Sequence, residues 1–391
     1  MQALTFSRDS TPFEVSPENS PTAIPPAVTP EGAPTAAPGG PSAPRKWLHA
    51  LLHSPQAGLL GVLLASCIVL TFTAGSHVDP LTGRTINNFL NKYTFLQMAT
   101  DASGFAIMAV GSTIVIIAGG IDLSVGAIYA LSGVTMAMVI RAAGPMGPVP
   151  TLLLGLATCL AVSLLCGLAN GLMVIGLNVH SFIITLGTMW ILRGLAFVIS
   201  HAESILLPGG LTNVVRASLG MGEGLYPVPM LVMFVVTALG AVYLSRTVMG
   251  RHIFAVGGNP EASRYAGLNV KRVTLGVFVL SGLTAGIAAF LGAGYYGSAT
   301  SSDASGYELY VIASAVVGGA SLIGGRGSAI SAMLGAMLIV LIRQAIRTLH
   351  LDQNYEWIIV GTAMILAVVI DQGGSRLLSR RAAGRESPRP S

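Results

Sequence analysis

The chain reads as an all-α protein, a polytopic membrane helix bundle of about ten transmembrane helices. Three observations lead there. Hydrophobic residues make up 52% of the 391 and charged residues only 9%, where a soluble domain carries about a quarter charged. Mean hydropathy is +0.72, and apolar runs recur at roughly the 20 residues that cross a bilayer. Glycine is abundant at 48 residues, which suits helices whose backbones approach closely in lipid.

In chain order, residues 1–44 are rich in Pro, Ala and Thr and too poor in apolar surface to order themselves; a disordered tail is expected there. They lack the basic start and apolar core of a secretory signal. Arg45, Lys46 and Trp47 then suit an interfacial anchor. The transmembrane domain is expected over 45–372. Its spans fall at about 57–74, 97–118, 122–140, 151–175, 181–200, 229–246, 274–296, 307–323, 328–345 and 357–372. The segments 181–200 and 307–323 are read as full, broken or re-entrant crossings. Residues 373–391 form a basic tail with Arg376, Arg380, Arg381 and Arg385. That tail and the loop 247–273, with Arg251, Arg264, Lys271 and Arg272, are expected in the cytoplasm, as is the N-terminus. The loops 201–228 and 297–306 then face outward.

Several function classes are excluded. No Gly-Lys dipeptide exists for a phosphate loop and no Gly-x-Ser-x-Gly elbow for a hydrolase. The seven histidines are scattered, and Cys67, Cys159 and Cys166 sit in apolar runs as packing residues. No catalytic residue, cofactor or metal site is therefore predicted. No aromatic-interleaved basic patch points to nucleic acid.

The stretch "GGIDLSVGA" places Asp122 within an apolar region. Gly119 and Gly120 are suited to end one helix, and Asp122 to cap the next by accepting the N–H of Ser124 or Val125. A proton site is the alternative reading, since carboxylates in membranes usually face a cavity or a partner. Gly318-Gly319-Ala320-Ser321-Leu322 loosely matches Gly119-Gly120-Ile121-Asp122-Leu123, too briefly to establish a repeat. In 181–200, Thr185 and Thr188 are three apart on one helix face, with Arg193 on a neighbouring one. They read either as a polar stripe facing a path or as hydroxyls bonded back to their helix. Asn170 reads as interhelical glue or as a path residue. Arg343 and Arg347 share a face near an outer helix end, with Asp352 and Glu356 close in sequence.

The loop "GRHIFAVGGNPEASRYAGLNVKR" contains its own helix signals. Asn259 is a cap, Pro260 fits the first turn, Glu261 favours the positive end of the dipole, and Gly267 is a natural stop. A helix of about two turns is marginal in water, so it needs support from its own chain or a partner.

Four blocks in order, "GGIDLSVGA", "LANGLMVIGLNVHSFIITLGTMWILRGL", "GRHIFAVGGNPEASRYAGLNV" and "SGYELYVIASAVVGGASLIGGRGS", resemble the permease subunit of bacterial ribose-, xylose- and galactose-type ABC importers. The resemblance spans about residues 57–372 and excludes the proline-rich head. It implies a multi-pass protein of the bacterial inner membrane, surrounded by lipid, that forms the translocation pathway for a monosaccharide. It implies three protein partners: a cytoplasmic ATP-binding subunit, a periplasmic sugar-binding protein and a second permease chain. It assigns the short helix, with Asn259, Pro260, Glu261, Ala262, Arg264 and Gly267, to coupling with the ATPase. Glu261-Ala262 and Gly267 resemble the Glu-Ala-Ala loop of importer permeases in role, not in spacing. The candidate path residues are Asp122, Ser124, Asn170, Thr185, Thr188 and Arg193. Alternative substrates are nucleosides, autoinducer-type sugars and branched-chain amino acids. An ion-coupled transporter would need more titratable groups within the spans, and a channel a filter sequence or charge ring.

Overall fold

The computed structural model describes residues 55–78, 83–220 and 226–383, the side chains of 370–383 excepted. The proline-rich stretch, the Arg45–Lys46–Trp47 anchor and residues 384–391 lie outside the described residues.

Helices carry the architecture. In order they are α1 Pro55–Thr73, α2 Lys92–Ile117, α3 Val125–Ala143, α4 Pro148–Leu177, α5 Ser181–Ser200, α6 Gly209–Val215 and α7 Val228–Arg246. Then come α8 Val248–Gly258, α9 Pro260–Tyr265, α10 Val270–Tyr296, α11 Tyr307–Val317, α12 Ala329–Thr348 and α13 Tyr355–Ala383. Two small antiparallel ribbons tie loops together. β1 Ser76–Val78 pairs with β2 Thr85–Asn87, and β3 Ile205–Leu206 with β4 Ser298–Ala299.

Among the described residues, eight helices are long and apolar enough to cross a membrane: α1, α2, α3, α4, α5, α7, α10 and α12. α11 and the apolar part of α13 are shorter. The predicted segments map onto these ten. Of the readings open for 181–200 and 307–323, the first is one unbroken helix, its first turn held by the His180 ring accepting the Phe182 N–H at 3.3 Å, and the second is broken. α11 has 11 residues, about 16 Å of helix against a hydrocarbon core of about 30 Å. Two differences stand. The segment before Asn259, expected as loop, forms α8, capped by Thr247 accepting the Gly250 N–H at 3.0 Å. And α13 runs past 372 to Ala383.

α2 is the axis of the bundle and is buried along most of its length from Ala99 to Ile117. α7, α10, α11 and α12 pack around it. The tightest neighbours are α4 and α10, and glycine explains why. Gly167 and Gly171 on α4 and Gly282 and Gly286 on α10, each pair spaced by four, line the contact, with Gly167 against Gly282. A Cβ at Gly167 would stand 2.5 Å from the Phe278 carbonyl oxygen, and one at Gly171 would stand 2.8 Å from Leu275. At Gly282 and Gly286 it would strike Ser163. Two small residues a turn apart on each helix let the backbones meet, which is how helices associate where no water drives them together. α1 is peripheral. It attaches through Leu63, Leu70 and Ala74 to Phe89 and Leu341 and leaves Ile68 and Phe72 exposed, a lipid-facing surface.

The two ends of the bundle differ. At one, Asp101 in the first half of α2 meets Arg347 near the end of α12. At the other, Ile114 and Ile117 near the end of α2 pack with Ile253 and Val256 of α8 and with Ala329 at the start of α12. α9 therefore lies at the end opposite Asp101.

Candidate functional site

Between α2 and α3 the chain leaves helical geometry over residues 118–124. Gly119 turns the backbone at φ 83°. Its N–H donates to Ile116 O at 2.9 Å, and the Gly120 N–H reaches back to Val115 O at 3.0 Å, a left-handed helix termination. Past it, the freed backbone is served by α5. The Ile121 N–H donates to Ser181 Oγ at 2.9 Å, the Leu123 N–H to Thr185 Oγ1 at 3.1 Å, and Thr185 Oγ1 donates to Ile121 O at 3.1 Å. Irregular backbone at membrane depth survives only when neighbouring groups satisfy it in this way. Thr185 and Thr188 are both buried on one helix face, but only Thr185 meets the break; the Thr188 hydroxyl donates back to Thr185 O of its own helix at 3.2 Å.

Asp122 is 1% exposed. The cap position expected for it is taken by Ser124, because α3 begins one residue later, at Val125. Asp122 instead closes a local turn. Its Oδ1 accepts the Ser124 N–H at 2.9 Å and the Ser124 hydroxyl at 2.6 Å, and its Oδ2 accepts the Ser281 hydroxyl of α10 at 2.8 Å. Asn170 of α4 donates to Ser124 Oγ at 2.7 Å. Asn170 thus joins α4 to the break through Ser124, and the Asp122 carboxylate joins α10 to it. Its bonds come from one amide and two hydroxyls, and among the described residues no group of three or more acids, histidines or cysteines is poised for a metal ion.

Arg193 stands apart from this cluster. Its guanidinium donates to the carbonyls of Ser301 at 2.9 Å, Asp303 at 2.6 Å and Ala304 at 3.2 Å. It holds the 297–306 loop against α5. Of the six candidate path residues, Asp122, Ser124, Asn170 and Thr185 converge on the break, Thr188 bonds back to its own helix, and Arg193 binds the loop.

The second candidate region is α9. Asn259 Oδ1 accepts the Ala262 N–H at 2.9 Å, Pro260 occupies the first turn, and Glu261 and Arg264 sit at the ends that complement the dipole. Gly267, at φ 82°, ends the helix, its N–H donating to Arg264 O at 3.0 Å. Asn269 then caps α10 by accepting the Arg272 N–H at 3.0 Å. Only Ser263 of α9 is buried, and Tyr265 is 92% exposed.

The two regions touch through α8. The Cα of Gly257 lies so close to Ile117 that a Cβ there would fall on the Ile117 carbonyl oxygen. That same oxygen accepts the Gly325 N–H at 2.8 Å, from the loop between α11 and α12. A Cβ at Gly324 would stand 2.6 Å from Gly257 O and 3.1 Å from Gly119 Cα. α2, α8 and the 318–328 loop thus meet backbone to backbone. Beside this junction, a cavity of about 230 Å³ extends from Gly119 and Gly120 to Pro260. Sequence reasoning missed α8 and this junction. The available signal was the pair Gly257-Gly258 followed far downstream by Gly324-Gly325.

The 318–328 loop also repeats the break. Gly319 has φ 89° and donates to Val316 O at 2.8 Å, and Ala320 donates to Ala315 O at 2.9 Å. Gly119 therefore corresponds to Gly319, one residue from the sequence match. α2 and α11 run side by side in the same direction, with Phe105 against Tyr310 near one end and Ile116 against Ala315 near the other.

Comparison with known proteins agrees with this architecture. The family described as "Branched-chain amino acid transport system / permease component" matches residues 94–368. The ribose import permease protein RbsC of Escherichia coli (strain K12) is 33% identical over 317 residues, 81% of this chain and 93% of the relative. The D-allose transport system permease protein AlsC of the same strain is 34% identical over 294 residues, 75% and 86% of the two chains. The fructose import permease protein FrcC of Rhizobium meliloti is 31% identical over 333 residues, 84% and 88%. No solved structure matches the chain. With apolar helices in the numbers a multi-pass protein needs and a family match over most of its length, the chain belongs to the branched-chain amino acid transport system / permease component family and is a homologue of sugar import permeases.

Proposed function

We propose that this chain forms the translocation pathway of an ATP-driven monosaccharide importer in a bacterial inner membrane, with both termini and α9 in the cytoplasm. Energy comes from a separate ATP-binding subunit docked on α9. A periplasmic binding protein delivers the sugar, and a second permease chain completes the pathway. The observation that carries the reading is the contact between Gly257 and the Ile117 carbonyl. It connects an exposed, charged, capped helix, through α8, to the break that Asp122, Ser124, Asn170 and Thr185 hold together. Movement of α9 would act on residues 118–124, a part of the bundle outside regular helix. The chemistry around the break is hydroxyl and amide with one carboxylate, suited to a neutral polyhydroxylated solute passing near it.

The test is reconstitution with the binding protein and ATP-binding subunit in proteoliposomes, measuring uptake of D-ribose, D-allose, D-fructose and D-galactose. Replacing Glu261 and Arg264 together by alanine is expected to leave assembly intact while uptake no longer follows ATP hydrolysis. Unchanged uptake and sugar-stimulated hydrolysis in that variant would remove α9 from the coupling role. L-Leucine belongs in the same assay, because the family description names branched-chain amino acids. Leucine uptake without sugar uptake would replace the sugar reading.

A further inference from the structure

At the end of the bundle away from α9, two cavities of about 290 Å³ and 280 Å³ open side by side and share Gln97. Their size is near the lower end of small-ligand sites. The first lies against Tyr295 and Gln344, the second against Asp101, Tyr307 and Arg347. The polar groups are held in place. Asp101 Oδ1 accepts from Gln97 Nε2 at 2.8 Å, Asp101 Oδ2 accepts from Arg347 Nη2 at 3.3 Å, and the Tyr295 hydroxyl donates to Gln97 Oε1 at 3.2 Å. Aromatic rings form the remaining walls. Phe105 and Tyr307 have centroids 4.4 Å apart, and Tyr295 and Tyr296 are 5.2 Å apart and nearly perpendicular. Arg343 also lines the second cavity, with its charge paired to Glu356 and its guanidinium stacked over Phe105 at 4.8 Å and Tyr310 at 4.3 Å.

This set of groups selects a chemistry. A carboxylate, a guanidinium, a carboxamide and a phenol offer both donors and acceptors at fixed positions. Vicinal hydroxyls can replace water on all of them, while the C–H face of a sugar ring lies on an aromatic face. The Asp101–Arg347 pair is internally neutral, so the site has no unbalanced charge for an ammonium or a carboxylate. We propose that these neighbouring cavities, with Gln97 in the wall of both, are a low-affinity monosaccharide site at the outer entrance of the permease, with Gln97, Asp101 and Arg347 as hydroxyl partners and Tyr295 and Tyr307 as stacking surfaces. The assignment rests on the sugar-importer reading. Weak binding suits it, because a transit site must release what it receives.

Saturation-transfer NMR on the detergent-solubilised full chain, with D-ribose, D-allose, D-fructose and D-galactose each as probe, tests the site directly. Uptake by the reconstituted importer tests the reading on which it rests. At least one sugar should show transfer. Gln97→Ala and Asp101→Asn, conservative changes at or near the surface, should each weaken binding about fivefold, the loss of one hydrogen bond. KM for uptake should rise with the ATP hydrolysed per sugar unchanged. Sugar uptake by the unaltered importer, with either no transfer or transfer and KM untouched in both variants, overturns the site and leaves the reading standing. Impaired capture of the binding protein with unchanged transfer also overturns it, reassigning the cluster to protein docking. If the unaltered importer takes up none of the four sugars, the reading falls and the site with it.

Discussion

The carboxylate of Asp122 accepts from one backbone amide and two hydroxyls in a setting without water access. Asp122→Ala would leave all three donors unpaired, at about 1–3 kcal/mol for each buried group left unsatisfied. Asp122→Asn retains one oxygen for Ser124, and the Ser281 hydroxyl can turn to accept from the new amide. Thermal unfolding in detergent should therefore show a large loss for alanine and a small one for asparagine. Uptake by the asparagine variant should keep the wild-type pH profile. A loss that deepens steeply with pH would give Asp122 a proton-carrying role instead. At this scale the sequence was informative about residue type and less so about partners. That Asp122 closes a turn at a helix break follows from the local order Gly-Gly-Ile-Asp. That Ser181 and Thr185, about sixty positions on, supply the break's hydrogen bonds depends on where α5 packs. No local pattern encodes that placement.

Among the elements, α8 and its junction with α2 make the sharpest comparison, because neighbouring glycines differ. A methyl at Gly257 must displace the Ile117 carbonyl, while a Cβ at Gly258 meets nothing within 4 Å. Gly257→Ala should cost about 1–3 kcal/mol as overpacking and abolish most uptake while the ATP-binding subunit still co-purifies. Gly258→Ala should behave as wild type in both measurements. Equal effects of the two would show that the junction transmits nothing. The short helix at Pro260 was legible because cap, proline, acid and glycine all lie within a few residues. α8 was not, since its apolar and glycine residues resemble an interfacial loop and its stability comes from burial of Ile253 and Val256 against α2. The shortness of α11 was readable as an alternative, and the structure decided it through the Gly318–Gly319 termination.

At the scale of the whole molecule, composition and run lengths sufficed for the helical bundle, because lipid allows few other arrangements of apolar segments this long. Orientation remains open to a direct measurement. With Cys67, Cys159 and Cys166 replaced, a cysteine at the exposed Tyr265 should react with an impermeant maleimide only in inside-out vesicles. One at the exposed Ser302, within the loop that Arg193 holds, should react in intact cells. The reverse pattern would invert the topology and place α9 outside.

One consequence follows from where the Gly257 contact falls along α2. The helix has 26 residues, about 39 Å, and the contact is at its last residue. The Asp101–Arg347 pair in its first half and the packed ring of Phe105 at its middle hold the helix, and from Asp101 to Ile117 is about 24 Å of helix. A helix held there and pushed at its last residue is a lever with its fulcrum at the held segment. A tilt of about 5° would carry Ile117 through about 2 Å over that length, while Gln97 and Asp101 barely move. The outer entrance could then keep its shape through the cycle while the inner end opens and shuts. The free energy of ATP would be spent on release of the sugar, not on its admission.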